Sequence, residues 1–185
     1  SDRPNNGYNG LDFAVALCRC GFAVAAPEIS CFGERQSDFS YIRSEIYQEV
    51  PATCTHTAFL AFHLGGTPLG LRVLEAKRLI DYLKTRNEFD TSRLGVMGIS
   101  GGATHAFYSA AIDQQIKACV LSGGFCTFRD SIFAVLHCVC NVVPHLSQFG
   151  ETYDLIGLIA PRPVLVESGS YDPVFPRKGV LRAVQ

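Results

Sequence analysis

The sequence has no charge surplus: 16 Lys and Arg stand against 17 Asp and Glu, a net charge of -1 over 185 residues. That balance leaves no electrostatic footprint for nucleic acid or for an anionic membrane, so neither is expected as a partner. No apolar run approaches the roughly 20 residues that span a bilayer. No signal peptide opens the chain, although Ser1 begins in turn-like sequence, so a targeting segment would lie outside it. Internal repeats, low-complexity tracts and linkers are missing, which leaves one domain over residues 1–185 as the expectation. Charged residues make up only 18% and hydrophobic ones 48%, the balance of a soluble globular α/β protein.

Cysteine, by contrast, is plentiful, at eight residues: Cys18, Cys20, Cys31, Cys54, Cys119, Cys126, Cys138 and Cys140. Most lie in apolar segments, where a free thiol behaves as a small hydrophobe. A chain of this size does not need a disulfide framework. The thiols favour a reducing, cytoplasmic setting; localisation is otherwise unassigned, and oxidised pairs stay open.

The chain is organised around Arg93 to Gly102 (RLGVMGISGG). Leu94 to Met97 reads as a buried strand. It breaks at Gly98-Ile99-Ser100-Gly101-Gly102, and a small-residue helix follows over Ala103 to Ala111. Gly-x-Ser-x-Gly between strand and helix is the context of a nucleophile elbow. So tight a turn leaves little room for a Cβ beside the serine, hence glycine at Gly98 and Gly102. It lifts the Ser100 hydroxyl clear of the sheet and aims the first helix amides at the reaction centre, where they favour negative charge. A structural glycine-rich turn is the plainer reading of the same residues.

Around this stretch, apolar runs alternate with helical patterns. Residues 1–10 read as loop, and Asn9 is expected to cap a helix over Leu11 to Cys20 that buries Leu11, Val15 and Cys18 and stops at Gly21. Phe22 to Pro27 reads as a central strand buried on both faces, with Glu28 to Arg35 as its exit loop. Residues 36–66 begin irregular and polar, then form a short helix from Cys54 to Leu64. Thr67 caps and Pro68 starts a helix to about Arg86, with Leu69, Val73, Ala76, Ile80 and Leu83 on one face. Ile116 to Leu121 is the next strand. An excursion over 125–160 carries two helical candidates, Asp130 to Cys140 and Thr152 to Ile159. Val164 to Glu167 is the last strand, Ser168 to Pro176 its exit loop, and a helix begins at Arg177. The order β, α, β, α, β, α, β gives an α/β fold, a mainly parallel sheet with flanking helices.

Three places now resemble the α/β-hydrolase superfamily, in its dienelactone hydrolase and acetyl xylan esterase-like branch. They are Gly21 to Glu28 followed by Phe32 to Arg35, Asp90 to Gly102, and Ala160 to Pro163 through Asp172 to Pro176. The resemblance implies an α/β-hydrolase fold and a serine-dependent carboxylic ester hydrolase for small acyl or carbohydrate acetyl esters, working without a cofactor or metal. Ser100 would be the nucleophile, Asp172 the acid that orients an imidazole, and the Gly101 N–H one oxyanion-hole donor. An Asp-Pro turn without chemistry is the plainer reading of Asp172.

Two departures stand beside the match. The superfamily order is serine, acid, histidine, yet His56, His63, His105, His137 and His145 all precede Asp172. The catalytic histidine is therefore expected beyond Gln185 and the second oxyanion donor before Ser1, as in a central fragment of a longer hydrolase. Oligomers are possible through exposed sheet edges. His105 is too close to Ser100 along the helix to lie over it, and His56 and His63 are on the insertion. His137-Cys138-Val139-Cys140-Asn141 invites a zinc reading, but a helix would place the two thiols about 200° apart, so no metal is expected. Glu28 reads as a structural acceptor, and Glu34 and Arg35 as a surface pair. Prolyl-oligopeptidase-type peptidases share a similar serine motif and Asp loop, and an inactive hydrolase-fold module is the remaining alternative.

Overall fold

Three short apolar runs pair into one parallel sheet in the computed structural model, which describes residues 12–38 and 53–185. Strand β1 (Gly95–Ile99) pairs with β2 (Ala118–Ser122), and β2 pairs with β3 (Val164–Glu167). Ile99 sits opposite Ser122 and Ser122 opposite Glu167, so all three strands end at one edge. Parallel neighbours need crossovers. Helix α4 (Gly101–Ile112) crosses from β1 to β2, and an excursion carrying the short α5 (Thr152–Leu155) crosses from β2 to β3. Helices α1 (Phe13–Arg19), α2 (Thr53–His63) and α3 (Pro68–Leu83) precede the sheet, and α6 (Arg177–Ala183) follows it.

The core lies between α4 and the sheet. Ala103, Ala106 and Ala110 are buried on α4, and their small side chains bring the helix close to Cys119 and Leu121 of β2. Phe107 fills the remaining width and meets Phe125 edge-on, with ring centroids 5.3 Å apart. Each fully buried side chain of this size contributes about 1.5–3 kcal/mol. Ile80 of α3 and Ala183 of α6 close the same cluster. The opposite face of the sheet is barer. Met97, Val120 and Leu165 form one registered row there, and Leu165 is 54% exposed.

Local sequence rules account for most element boundaries. The Thr67 hydroxyl accepts from Gly70 N at 2.9 Å and Pro68 opens α3, as its sequence requires. The Cys54-to-Leu64 helix forms as α2, and Val164 to Glu167 forms β3. Gly21 stops α1 in the left-handed region, φ +91°.

Four expectations need correction. The cap of α1 is Asp12, whose carboxylate accepts from Val15 N at 3.1 Å, and α1 buries no residue; Asn9 itself lies outside the described residues. Phe22 to Pro27 forms no strand, and Phe22 is 62% exposed. An apolar run becomes a strand only where a ladder partner is present, and none of the described strands pairs with it. The sheet therefore has three described strands against four expected. Asp130 to Cys140 is a series of turns, not a helix. Tertiary bonds hold that segment instead: Ser131 Oγ donates to the Val174 carbonyl at 2.7 Å. The Thr152-to-Ile159 candidate is helical only to Leu155 and continues as a tighter 3-10 turn over Ile156–Leu158.

Arg162 explains the Pro-Arg-Pro element ahead of β3. Its guanidinium donates to the carbonyls of Asp113, Ile116, Leu158 and Ile159 at 2.8–3.0 Å. One side chain thus ties the entry of β2 to the entry of β3, while Cys119 N donates to the Pro163 carbonyl at 3.0 Å. Hydrogen bonds from a charged donor are each worth about 1.5–3 kcal/mol, though not additively. Arg162→Met is expected to lower unfolding stability by about 2–3 kcal/mol in urea titration. Arg162→Lys recovers less than half of that, because an ammonium cannot reach four diverging carbonyls. Full recovery by lysine would show that charge alone, and not the fork, matters.

Candidate active site

The carboxyl edge of the sheet holds the candidate site. Ser100 follows β1 directly and adopts φ 54°, ψ -119°, a region that costs a non-glycine residue about 1–3 kcal/mol. Its neighbours impose that conformation. Ser100 N donates to the Ser122 carbonyl at 2.8 Å, extending the β1–β2 ladder through the bend. The Ser100 carbonyl then accepts from Ala103 N at 2.9 Å and Thr104 N at 3.1 Å, which starts α4. The Ser100 side chain is exposed at the apex. Gly101 and Gly102 open α4, and no carbonyl lies one turn back within the helix to receive their amides.

The close approach behind the bend falls on Gly98 and Gly124. A Cβ at Gly98 would collide with the Gly102 carbonyl and lie 2.6 Å from Ala103 N. One at Gly124 would collide with the Ser100 carbonyl oxygen and lie 2.5 Å from Ala103 Cβ. At Gly102, expected to be equally cramped, an added Cβ meets nothing within 4 Å. Gly102 contributes its backbone to the contact, not its lack of a side chain. Gly124 is not visible in the motif because it comes from the loop after β2.

Asp172 stands on the same edge, in the loop leaving β3. Its Oδ1 accepts from Val174 N at 2.8 Å and Phe175 N at 2.9 Å. Its Oδ2 points toward Gly123, at 3.7 Å from where that residue's Cβ would be. Gly123 follows Ser122, whose carbonyl receives the Ser100 amide. The carboxylate thus divides its work: one oxygen folds the Asp-Pro turn and the other faces the neighbouring strand end.

Two of the histidines, His105 and His137, are held by partners other than Ser100. His105 donates Nε2–H to the Arg72 carbonyl at 2.7 Å, away from the elbow, and burial lowers its pKa. His137 is brought to the Asp172 loop: its ring packs edge-on to Phe175 at 5.2 Å, and Nε2 is 2.8 Å from Ser131 Oγ. Burial lowers its pKa too, and the Val174 carbonyl and Asp172 charge oppose that only in part. Glu28 accepts from Glu34 N at 3.0 Å, the structural role expected of it. Arg35 pairs with Glu75 at 2.6 Å and not with Glu34. A cavity of about 30 Å³ lies behind α4 between Thr104, Phe107, Phe125 and Ser131. It is not lined by Ser100 or Asp172.

The thiols of the His137-to-Asn141 string are also placed differently from expectation. The segment is not α-helical, and the Cys138 and Cys140 sulfurs are 3.1 Å apart, with Cys54 Sγ 3.1 Å from Cys138 Sγ. Burial and the neighbouring sulfurs raise the pKa of Cys54, and burial raises that of Cys140. At Cys138 burial acts in the same sense but is outweighed by hydrogen bonds from the other two thiols and by the Arg72 charge, so its pKa falls.

No family model matches the chain. Among solved structures it superposes on a protein designated an acetyl xylan esterase from Bacteroides fragilis NCTC 9343, with a TM-score of 0.68 at 18% identity, over 83% of this chain and 41% of that one. The chain has the α/β-hydrolase fold. A glucuronoyl esterase from Teredinibacter turnerae T7901 shares it, with a TM-score of 0.54 at 24% identity, over 64% of this chain and 33% of that one. In sequence, the chain is 28% identical over 174 residues to YtaP of Bacillus subtilis (strain 168), designated a hydrolase. That match covers 91% of this chain and 52% of YtaP, so the chain spans about half the length of its curated relative.

The close-packed bend at Ser100 predicts a contrast between two glycines. Gly98→Ala is expected to lose about 2–3 kcal/mol, because the clash is with backbone that must shift. Gly101→Ala, with open space around its Cβ, stays within about 0.5 kcal/mol. Thermal melting of the two variants checks this, and equal losses would contradict the close-packed bend.

Proposed function

We propose that the chain carries the nucleophile and the acid of a serine-dependent carboxylic ester hydrolase for small acyl or carbohydrate acetyl esters. The observation that supports it is the strained, exposed Ser100, held between two glycines that admit no Cβ, on the strand edge that also carries Asp172. A backbone strained at a point open to solvent is a feature that stability alone does not favour.

In this reading the Ser100 hydroxyl gives its proton to an imidazole and attacks the ester carbonyl, the ester C–O bond breaks, the alcohol leaves with that proton, and an acyl-enzyme remains. The Gly101 amide, at the positive end of α4, donates to the oxyanion as it develops. Asp172 Oδ2 receives the N–H of an imidazole and stabilises its charged form. Water then releases the acyl group through the same groups in reverse. The imidazole is assigned to sequence outside these 185 residues, since the relatives are about twice as long. The names of the relatives, esterases and a designated hydrolase, support acyl-ester chemistry over peptide hydrolysis.

The test separates serine from acid. The 185-residue chain is expected to react slowly with a fluorophosphonate, giving one adduct per chain at Ser100 by peptide mass spectrometry and none in Ser100→Ala. Free imidazole should accelerate this labelling by acting as the missing base. Asp172→Asn keeps an oxygen for the Val174 and Phe175 amides, so the loop folds, yet it should lose most of the acceleration. A folded chain that gives no adduct with or without imidazole would sink the hydrolase reading. Turnover of p-nitrophenyl acetate by the chain alone is expected to be at least about 10³-fold below that of a complete triad, whose members act as a unit.

A further inference from the structure

Away from the candidate active site, three cysteines converge in the interior. Cys54, the second residue of α2, meets Cys138 and Cys140 of the excursion, 84 residues later in the sequence for the first pair. The three sulfurs lie within 4.8 Å of one another, two of the separations being 3.1 Å. Cys54 and Cys140 are buried, at 8% and 4% exposure, and Cys31 packs in the same cluster. A bonded disulfide requires about 2.05 Å. Three thiolates around a tetrahedral zinc at about 2.3 Å stand roughly 3.8 Å apart, so the two 3.1 Å pairs need to open by only about 0.7 Å to receive an ion.

Arg72 is the second observation, and it points to charge at this spot. It is 2% exposed on α3. Its Nη1 donates to Cys140 Sγ at 3.3 Å, and its Nη2 to the Ser30 carbonyl at 3.3 Å and to Cys54 Sγ at 3.7 Å. Its Nε has no hydrogen-bond partner among the described residues, and its guanidinium lies 5.3 Å from the Phe32 ring centroid. A buried guanidinium needs an anion nearby. Of the three groups that accept from it, the two sulfurs are able to ionise and the Ser30 carbonyl is not, while Glu75 is taken by Arg35 and Ser30.

We propose that Cys54, Cys138 and Cys140 form a binding site for a thiophilic divalent metal ion, with Arg72 as its buried counter-charge. The charges fit. Three thiolates and one divalent ion sum to -1, and the guanidinium brings the buried group to neutrality, whereas a monovalent ion would leave an excess negative charge in the interior. Arg72 also supplies the outer hydrogen bonds that orient thiolate ligands. The fourth position is left for a water molecule. The site ties α2 to the excursion.

The experiment uses the reduced, folded 185-residue chain titrated with cadmium and with zinc. The expected result is one ion per chain, with a thiolate-to-cadmium charge-transfer band, displacement of cadmium by excess zinc, and release of up to about three protons per ion from the three thiols that must be ionised to bind. Cys54→Ser and Cys138→Ser should each weaken binding at least 100-fold, while Cys18→Ser and Cys20→Ser, at exposed thiols, should not. Zinc should raise the melting temperature of the parent chain and not that of the two site variants. The proposal falls if the reduced chain binds no ion, or if Cys54→Ser and Cys138→Ser retain binding. It falls equally if titration leaves proton release at zero, a measurement on the parent chain that needs no variant to fold. Fluorophosphonate labelling at Ser100 is read separately, so failure at one site does not decide the other.

Discussion

The hydrogen bond from Ser100 N to the Ser122 carbonyl is the contact on which the rest of this structure depends. It carries the β1–β2 ladder one residue past the strand and forces the chain to turn at once into α4. The strain at Ser100 is tolerated because two independent surfaces fix the bend. Below it, Gly98 lets the Gly102 carbonyl approach; beside it, Gly124 lets the Ser100 carbonyl approach. The buried alanines of α4 then hold the helix against β2. Release any one of these and the residue relaxes to an ordinary φ, taking its hydroxyl away from the edge that Asp172 occupies.

Where local rules suffice, the sequence is readable. Thr67-Pro68 starts a helix by side-chain capping and a fixed φ, both properties of two adjacent residues. Val164 to Glu167 is a short, valine-containing run between a Pro-Arg-Pro element and a turn. The elbow is legible because its glycines and serine lie within five positions. The candidate acid, Asp172, is legible through its place after an apolar strand.

What is not legible depends on distant partners. Phe22 to Pro27 has the composition of a buried strand, but composition does not supply a ladder partner. Asp130 to Cys140 has a helical pattern, yet Ser131 bonds Val174, His137 packs edge-on against Phe175, and Cys138 meets Cys54. Three long-range anchors within eight residues outweigh the few tenths of a kcal/mol per residue that separate helix propensities. Gly102 looks indispensable from the motif and has room to spare, whereas Gly124, 24 positions from Ser100, does not. Helical geometry speaks against a shared thiol cluster at Cys138 and Cys140, and that objection disappears with the helix.

Two of these misses, the expected helix and the thiol cluster, share one segment, and that segment joins the two sites. Ser131 and His137 hold the loop whose Asp172 accepts the Val174 and Phe175 amides. Cys138, the next residue, enters the thiol cluster. The backbone between an imidazole that rests on the acid's loop and a thiol of the buried cluster is therefore a single peptide unit. Glu151 limits movement at the other end, where its carboxylate accepts from Phe128 N at 2.8 Å and Arg129 N at 2.9 Å. With both ends pinned, the excursion acts as a brace across the carboxyl edge of the sheet. Its irregular backbone follows from that task, since a helix between the same anchors would turn Cys138 and Cys140 to different sides and separate the thiols that now meet.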